Sequence, residues 1–143
     1  MKSNLLVFTQ FFVIFLMILP FGAPTQTLLL GLGVTLFGGL IGLLALMQNR
    51  LGNFNIRPDI RKDCQLVKTG IYAYIRHPMY SSVLVSMLGV VLIYPMMYEF
   101  VLYAILLVTL LIKLFYEESL WKCESQEYIQ YTKNTKRLIP YIF

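Results

Sequence analysis

The chain has 143 residues, 58% of them hydrophobic and 13% charged, with a formal net charge of +5. Soluble domains carry about a quarter charged residues, so this composition, with a mean hydropathy of +0.69, excludes an ordinary water-soluble domain and indicates one integral membrane domain. Cys64 and Cys123 lack metal-ligand spacing, and His77, the one histidine, does not complete a zinc site with them; they read as two reduced thiols.

The first apolar run covers residues 5–21. Lys2 ahead of it resembles a signal-peptide start, but only Gly22-Ala23 offers a small-residue cleavage point. The run is read as a retained membrane helix ended by Pro20 and the Gly22/Pro24 turn. Residues 27–47 form the second run, long enough to cross a bilayer at 1.5 Å per residue. Here Gly38 and Gly42 make a GxxxG pair, and Gly31, Thr35 and Gly39 make a second ridge. Small residues let helix backbones approach closely in lipid. Such a ridge serves a homodimer seam or packing within the chain, and a small bundle favours the second use.

A polar connection follows over residues 48–77, with Arg50, Arg57, Arg61, Lys62, Lys68 and Arg76. Breaks at Gly52 and at Thr69-Gly70, and a Pro58-Asp59 turn, argue against one continuous helix. Residues 78–94 and 100–116 are the third and fourth apolar runs, near the lower length limit for a span. The link over residues 95–99 is short enough to force an antiparallel hairpin. Beyond it, Glu117, Trp121, Glu124, Tyr128 and Tyr131 recur on one helical stripe, and Lys122, Lys133 and Lys136 suit a helix lying on the membrane surface. The expected fold is therefore all-α: a membrane bundle of four transmembrane helices with a C-terminal interfacial helix, forming a single domain over 1–143.

Four spans put the N-terminus, the 48–77 connection and the tail on one side. All 12 Lys and Arg fall on that side, or within a turn of it for Lys113, and the other two loops have none. The positive-inside rule makes that side cytoplasmic. This distribution explains the basic excess without nucleic acid.

Two clusters stand at the cytoplasmic level. Proline disfavours the α-region for the residue before it and suits the first position of a helix, so Pro78 starts a helix with Arg76 and His77 held at its mouth. A helix N-terminus favours anionic groups. Taken alone, an arginine at a membrane boundary usually snorkels to headgroups, with the tyrosines at the same level for the same reason. The second cluster, Glu117-Glu118, is expected to close the fourth helix. Acidic groups there oppose the helix dipole, and Lys113 is placed to pair with Glu117 at i, i+4.

The run from Leu66 through Thr69-Gly70-Ile71-Tyr72, Tyr74-Ile75-Arg76-His77-Pro78 and Tyr80, together with Glu117-Glu118, Tyr128, Tyr131 and Arg137-Leu138-Ile139-Pro140, resembles the isoprenylcysteine carboxyl methyltransferase and phospholipid methyltransferase family of membrane enzymes. The resemblance covers residues 50–140. Ser82 stands where the family often has glycine, and Trp121, beside Leu120, where a leucine is expected. The second departure leaves the register of the glutamate pair open by one residue.

The resemblance implies S-adenosylmethionine as methyl donor and a lipophilic or lipid acceptor arriving from the bilayer. It implies Arg76, Arg137 and Glu117 as catalytic, and His77, Tyr80, Glu117 and Glu118 as donor-binding. Methyl transfer from a sulfonium is an in-line displacement needing little acid–base help, so positioning and desolvation carry it. The implied setting is a multi-pass protein of a bacterial inner membrane, with termini and site cytoplasmic. Two other readings stay open: a nicotinamide-dependent membrane reductase, and a non-catalytic membrane protein.

Overall fold

The structure, a computed structural model, describes residues 2–19, 22–49 and 66–143. The expectations for Pro20, for Cys64 and for the basic residues and turns between Arg50 and Lys62 lie outside the described residues. Five α-helices occur among them: α1 (Lys2–Ile18), α2 (Leu28–Gln48), α3 (Pro78–Ile93), α4 (Met97–Glu124) and α5 (Gln126–Asn134), with a short 3-10 turn at Gly70–Ala73 before α3. Helix α2 packs along α3, α1 packs along α4, and α3 also meets α1 and α4.

The α2–α3 seam is built from small residues. A Cβ on Gly38 would lie 2.5 Å from the Ser86 nitrogen and 2.9 Å from the Ser82 carbonyl oxygen, and one on Gly31 would lie 2.7 Å from the Gly89 carbonyl oxygen. Only glycine permits that backbone approach. The closeness is used by hydrogen bonds: Ser82 Oγ donates to the Gly38 carbonyl at 2.7 Å, and Thr35 Oγ1 to the Ser86 carbonyl at 3.2 Å. The serine that departs from the family pattern is thus a cross-link between helices. The ridge packs within the chain, the use a small bundle favours: Gly31, Thr35, Gly38 and Gly42 face α3. Only Gly39 departs from the expected ridge, facing away with nothing within reach.

On the other side of α3, Val13 and Met17 of α1, Leu84 and Val91 of α3, and Leu106, Leu110 and Leu114 of α4 form the core, with Leu138 from the tail. The leucines of α4 recur every four residues, which puts them on one face. Outward-facing side chains are large and apolar, among them Phe8, Phe15, Leu29, Leu36, Val108 and Ile112. That much exposed apolar surface suits lipid, not water. Helices α2 and α4, of 21 and 28 residues, are long and apolar enough to cross a membrane, while α1 and α3 are shorter apolar helices.

The α1–α2 link is tied to the end of α3. Thr25 donates its N–H to the Ile93 carbonyl at 3.1 Å, and Thr27 Oγ1 donates to the Leu92 carbonyl. These bonds satisfy carbonyls that a helix C-terminus leaves without intrahelical partners.

The fourth helix does not close at the glutamate pair. It runs on to Glu124 and ends at Ser125, whose extended backbone separates it from α5 and whose Oγ caps α5 by accepting from the Tyr128 N–H. A polar capping residue, not the change in polarity, sets this boundary. The stripe from Glu117 to Tyr131 is therefore split between two helices, and Tyr128 and Tyr131 are buried against the protein.

Candidate functional site

The site forms where the start of α3 meets the end of α4 and the tail. His77 has φ −121° and ψ 58°, outside the helical region, and Pro78 opens α3 behind it. The φ and the avoidance of the α-region are what an X-Pro step favours, while ψ falls short of the extended range. Backbone pairing then adds what local rules do not contain. The Arg76 N–H donates to the Lys136 carbonyl at 2.8 Å, the His77 N–H to the Arg137 carbonyl at 3.0 Å, and the Lys136 N–H to the Tyr74 carbonyl at 3.1 Å. This parallel bridge carries Arg137 alongside His77. Ser81 Oγ extends the attachment by donating to the Leu138 carbonyl at 2.7 Å.

Helix α4 returns antiparallel and brings both glutamates to the same place. Glu118, with its side chain 2% exposed, accepts from Arg76 Nε at 2.8 Å and Arg137 Nε at 3.2 Å. Lys122 Nζ lies 3.7 Å from it and His77 Nε2 3.6 Å. Arg76, itself 6% exposed, also donates through Nη1 to the Thr135 carbonyl, so its fork joins α3, α4 and the tail. Burying two charges is costly unless paired and hydrogen-bonded, and here both conditions hold. Glu117 is different. Its side chain is 29% exposed, it accepts from Tyr80 Oη at 2.9 Å, and His77 Nδ1 stands 3.9 Å away. The Tyr80 ring lies parallel to His77, with centroids 5.3 Å apart. Arg137 is 30% exposed and sits over the rings of Phe115 and Phe143, a cation on aromatic faces.

All six residues singled out in the sequence, Arg76, His77, Tyr80, Glu117, Glu118 and Arg137, thus meet in one cluster. Sequence reasoning missed the tyrosines that wall it. Tyr128 stacks on Trp121, and Tyr131 Oη donates to the Tyr72 carbonyl. Burial pushes the phenols of Tyr128 and Tyr131 up, and the Glu118 charge adds to the effect at Tyr128. Burial and the Glu117 charge push Tyr72 up to about 12. All three remain neutral donors at physiological pH. Tyr128 and Tyr131 share a helical stripe with Trp121, seven and ten positions on; that periodicity is a usable signal, but it does not distinguish a face packed on the site from one lying on the membrane. The other missed residue is Gln10 of α1, which reaches Lys113 on α4; no local pattern marks that pair.

Two buried polar atoms at the site make no close hydrogen bond among the described residues: Tyr128 Oη, and His77 Nε2, which faces Glu118 Oε1 at 3.6 Å. Buried polar groups are nearly always satisfied, so unmet capacity beside a partly exposed carboxylate and a partly exposed guanidinium fits a polar, charged ligand.

Among known families, the model of the phospholipid methyltransferase family matches residues 27–123. The matched segment runs from the start of α2 almost to the end of α4, leaving α1 and the tail with Arg137 outside it. No curated protein matches the chain.

Proposed function

The chain belongs to the phospholipid methyltransferase family, and from that premise we propose that it transfers a methyl group from S-adenosylmethionine to a lipophilic acceptor at the cytoplasmic face of the membrane. The observation that carries the reading is the pair of buried atoms without a close hydrogen bond, His77 Nε2 and Tyr128 Oη, set beside the glutamate pair where the α3–α4 hairpin ends. The bound donor would supply an activated methyl group on a sulfonium.

The two glutamates divide the work. Glu118 is saturated by arginines and anchors them. Glu117, more exposed and held by one hydroxyl, is oriented to accept from a ligand ammonium or ribose hydroxyl. The two arginines divide similarly. Arg76 is committed to Glu118 and Thr135, whereas Arg137 keeps free donors at the rim for a carboxylate. His77 offers Nε2 to the same ligand. The apolar outer faces of α1 to α4 keep the acceptor side dry, and exclusion of water with fixed orientation is what an in-line displacement needs. In this reading all four helices cross the bilayer and the site is cytoplasmic, in keeping with the one-sided Lys and Arg.

Calorimetric titration of purified protein with S-adenosylmethionine tests the reading, with nicotinamide dinucleotides as the counter-ligand. The wild type and the exposed control Glu124→Ala are expected to bind the donor. His77→Ala and Glu117→Ala are expected to lose about 1.5–3 kcal/mol, the size of a charged hydrogen bond. Wild-type affinity in both variants, with folding intact, would sink this site. Labelled methyl donor supplied to membranes then names the acceptor class from the fraction that takes up label.

A further inference from the structure

Helix α1 lies outside the matched segment, yet it sends one polar side chain into the interior. Gln10 is 7% exposed and Lys113 of α4 is 1% exposed. Lys113 Nζ donates to Gln10 Oε1 at 2.5 Å. The same ammonium stands 5.3 Å over the centroid of the Tyr80 ring. That ring is stacked on His77, and its hydroxyl holds Glu117, one turn beyond Lys113 on α4. Gln10, Lys113, Tyr80, His77 and Glu117 therefore form one connected set reaching from α1 to the site.

Packing alone does not explain the set. An ionisable residue inside a membrane bundle is costly and generally functional. A buried polar pair replaced by apolar side chains of similar volume is often neutral or stabilising. Leucine at 10 and methionine at 113 would fill the space at less cost. What the pair supplies is a fixed cation: the glutamine carbonyl sets its direction, the ring face attracts it, and its charge favours the carboxylate four residues on.

We propose that Lys113 is a positioning residue for the methyl-donor site and that α1, through Gln10, is part of that site. The inference rests on the donor reading above. Its test is calorimetric titration of the full-length protein with S-adenosylmethionine, paired with thermal unfolding of the same samples without ligand. The double variant Gln10→Leu/Lys113→Met, which leaves neither group without a partner, is expected to unfold no earlier than the wild type, and Lys113→Met to weaken donor binding about tenfold, the size of one charge-assisted contact. Gln10→Leu is expected to weaken it by about fivefold. Lys113→Arg, which keeps a cation able to reach the ring, is expected to restore most of the affinity. A purely structural role would shift the unfolding temperature together with affinity and would gain nothing from arginine over methionine. Should Lys113→Met fail to fold, Gln10→Leu makes the same comparison. Unchanged affinity in the folded Lys113 or Gln10 variants, while His77→Ala still loses binding, would overturn the inference and leave the donor reading standing. A wild type that binds no donor would overturn both.

Discussion

Glu117 and Glu118 are neighbours in sequence with opposite tasks, and the difference comes from the helix turning about 100° between them. Glu118 faces the buried guanidinium of Arg76, and Glu117 faces Tyr80 at the rim. Removing one partner from a buried charged pair leaves the other uncompensated, at a cost of about 3–5 kcal/mol. Glu118→Ala is therefore expected to lower the unfolding temperature sharply, with donor binding lost as a consequence. Glu117→Ala is expected to leave unfolding near wild type and to lose affinity alone. Differential scanning of both variants decides. The reverse pattern would mean that the register of the pair is off by one.

At the scale of elements, the α2–α3 seam and the α4–α5 break carry the arrangement. Gly38→Leu and Gly42→Leu place side chains where backbone or Ser82 already stands. Overpacking of this kind costs about 1–3 kcal/mol, so both variants should unfold at lower temperature in detergent. Gly39→Leu and Gly33→Leu point into open space and are the controls. Equal loss in all four would mean that the seam does not run along this face. Ser125→Ala removes the cap of α5, worth about 1 kcal/mol. Faster hydrogen exchange confined to residues 126–134 is the expected signature, because α4 keeps its own ladder.

For the whole molecule, the proposed orientation rests on the one-sided basic residues, and the antiparallel return of α4 sets only which helix ends share a side. Cysteines placed at Thr25 and Met97, in a background with Cys64 and Cys123 replaced by serine, should react with an impermeant reagent from outside. A cysteine at Asn134 should react only after the membrane is opened. Labelling of all three from one side would overturn the orientation. The outcome also bears on the site, since Arg76, Glu118 and Arg137 lie at the end of the bundle that Asn134 reports.

The resemblance to a known family supplied the residues that meet in the site; the sequence by itself determined the membrane character, the start of α3 at Pro78 and the turn at Gly70 with its φ of 59°. These are local matters: composition, proline and glycine sterics, and a hairpin too short to do anything but return. Only the tertiary structure decided the rest. It ended α4 at Ser125, because a helix stops where capping competes with its hydrogen-bond ladder and not where polarity changes. It turned Gly39 outward, because the phase of a helix about its own axis depends on what packs against it. It paired the tail with residues 74–77 and joined Gln10 to Lys113. Contacts between residues so far apart in the chain leave no period in the sequence; they exist only once the packed helices hold their ends together.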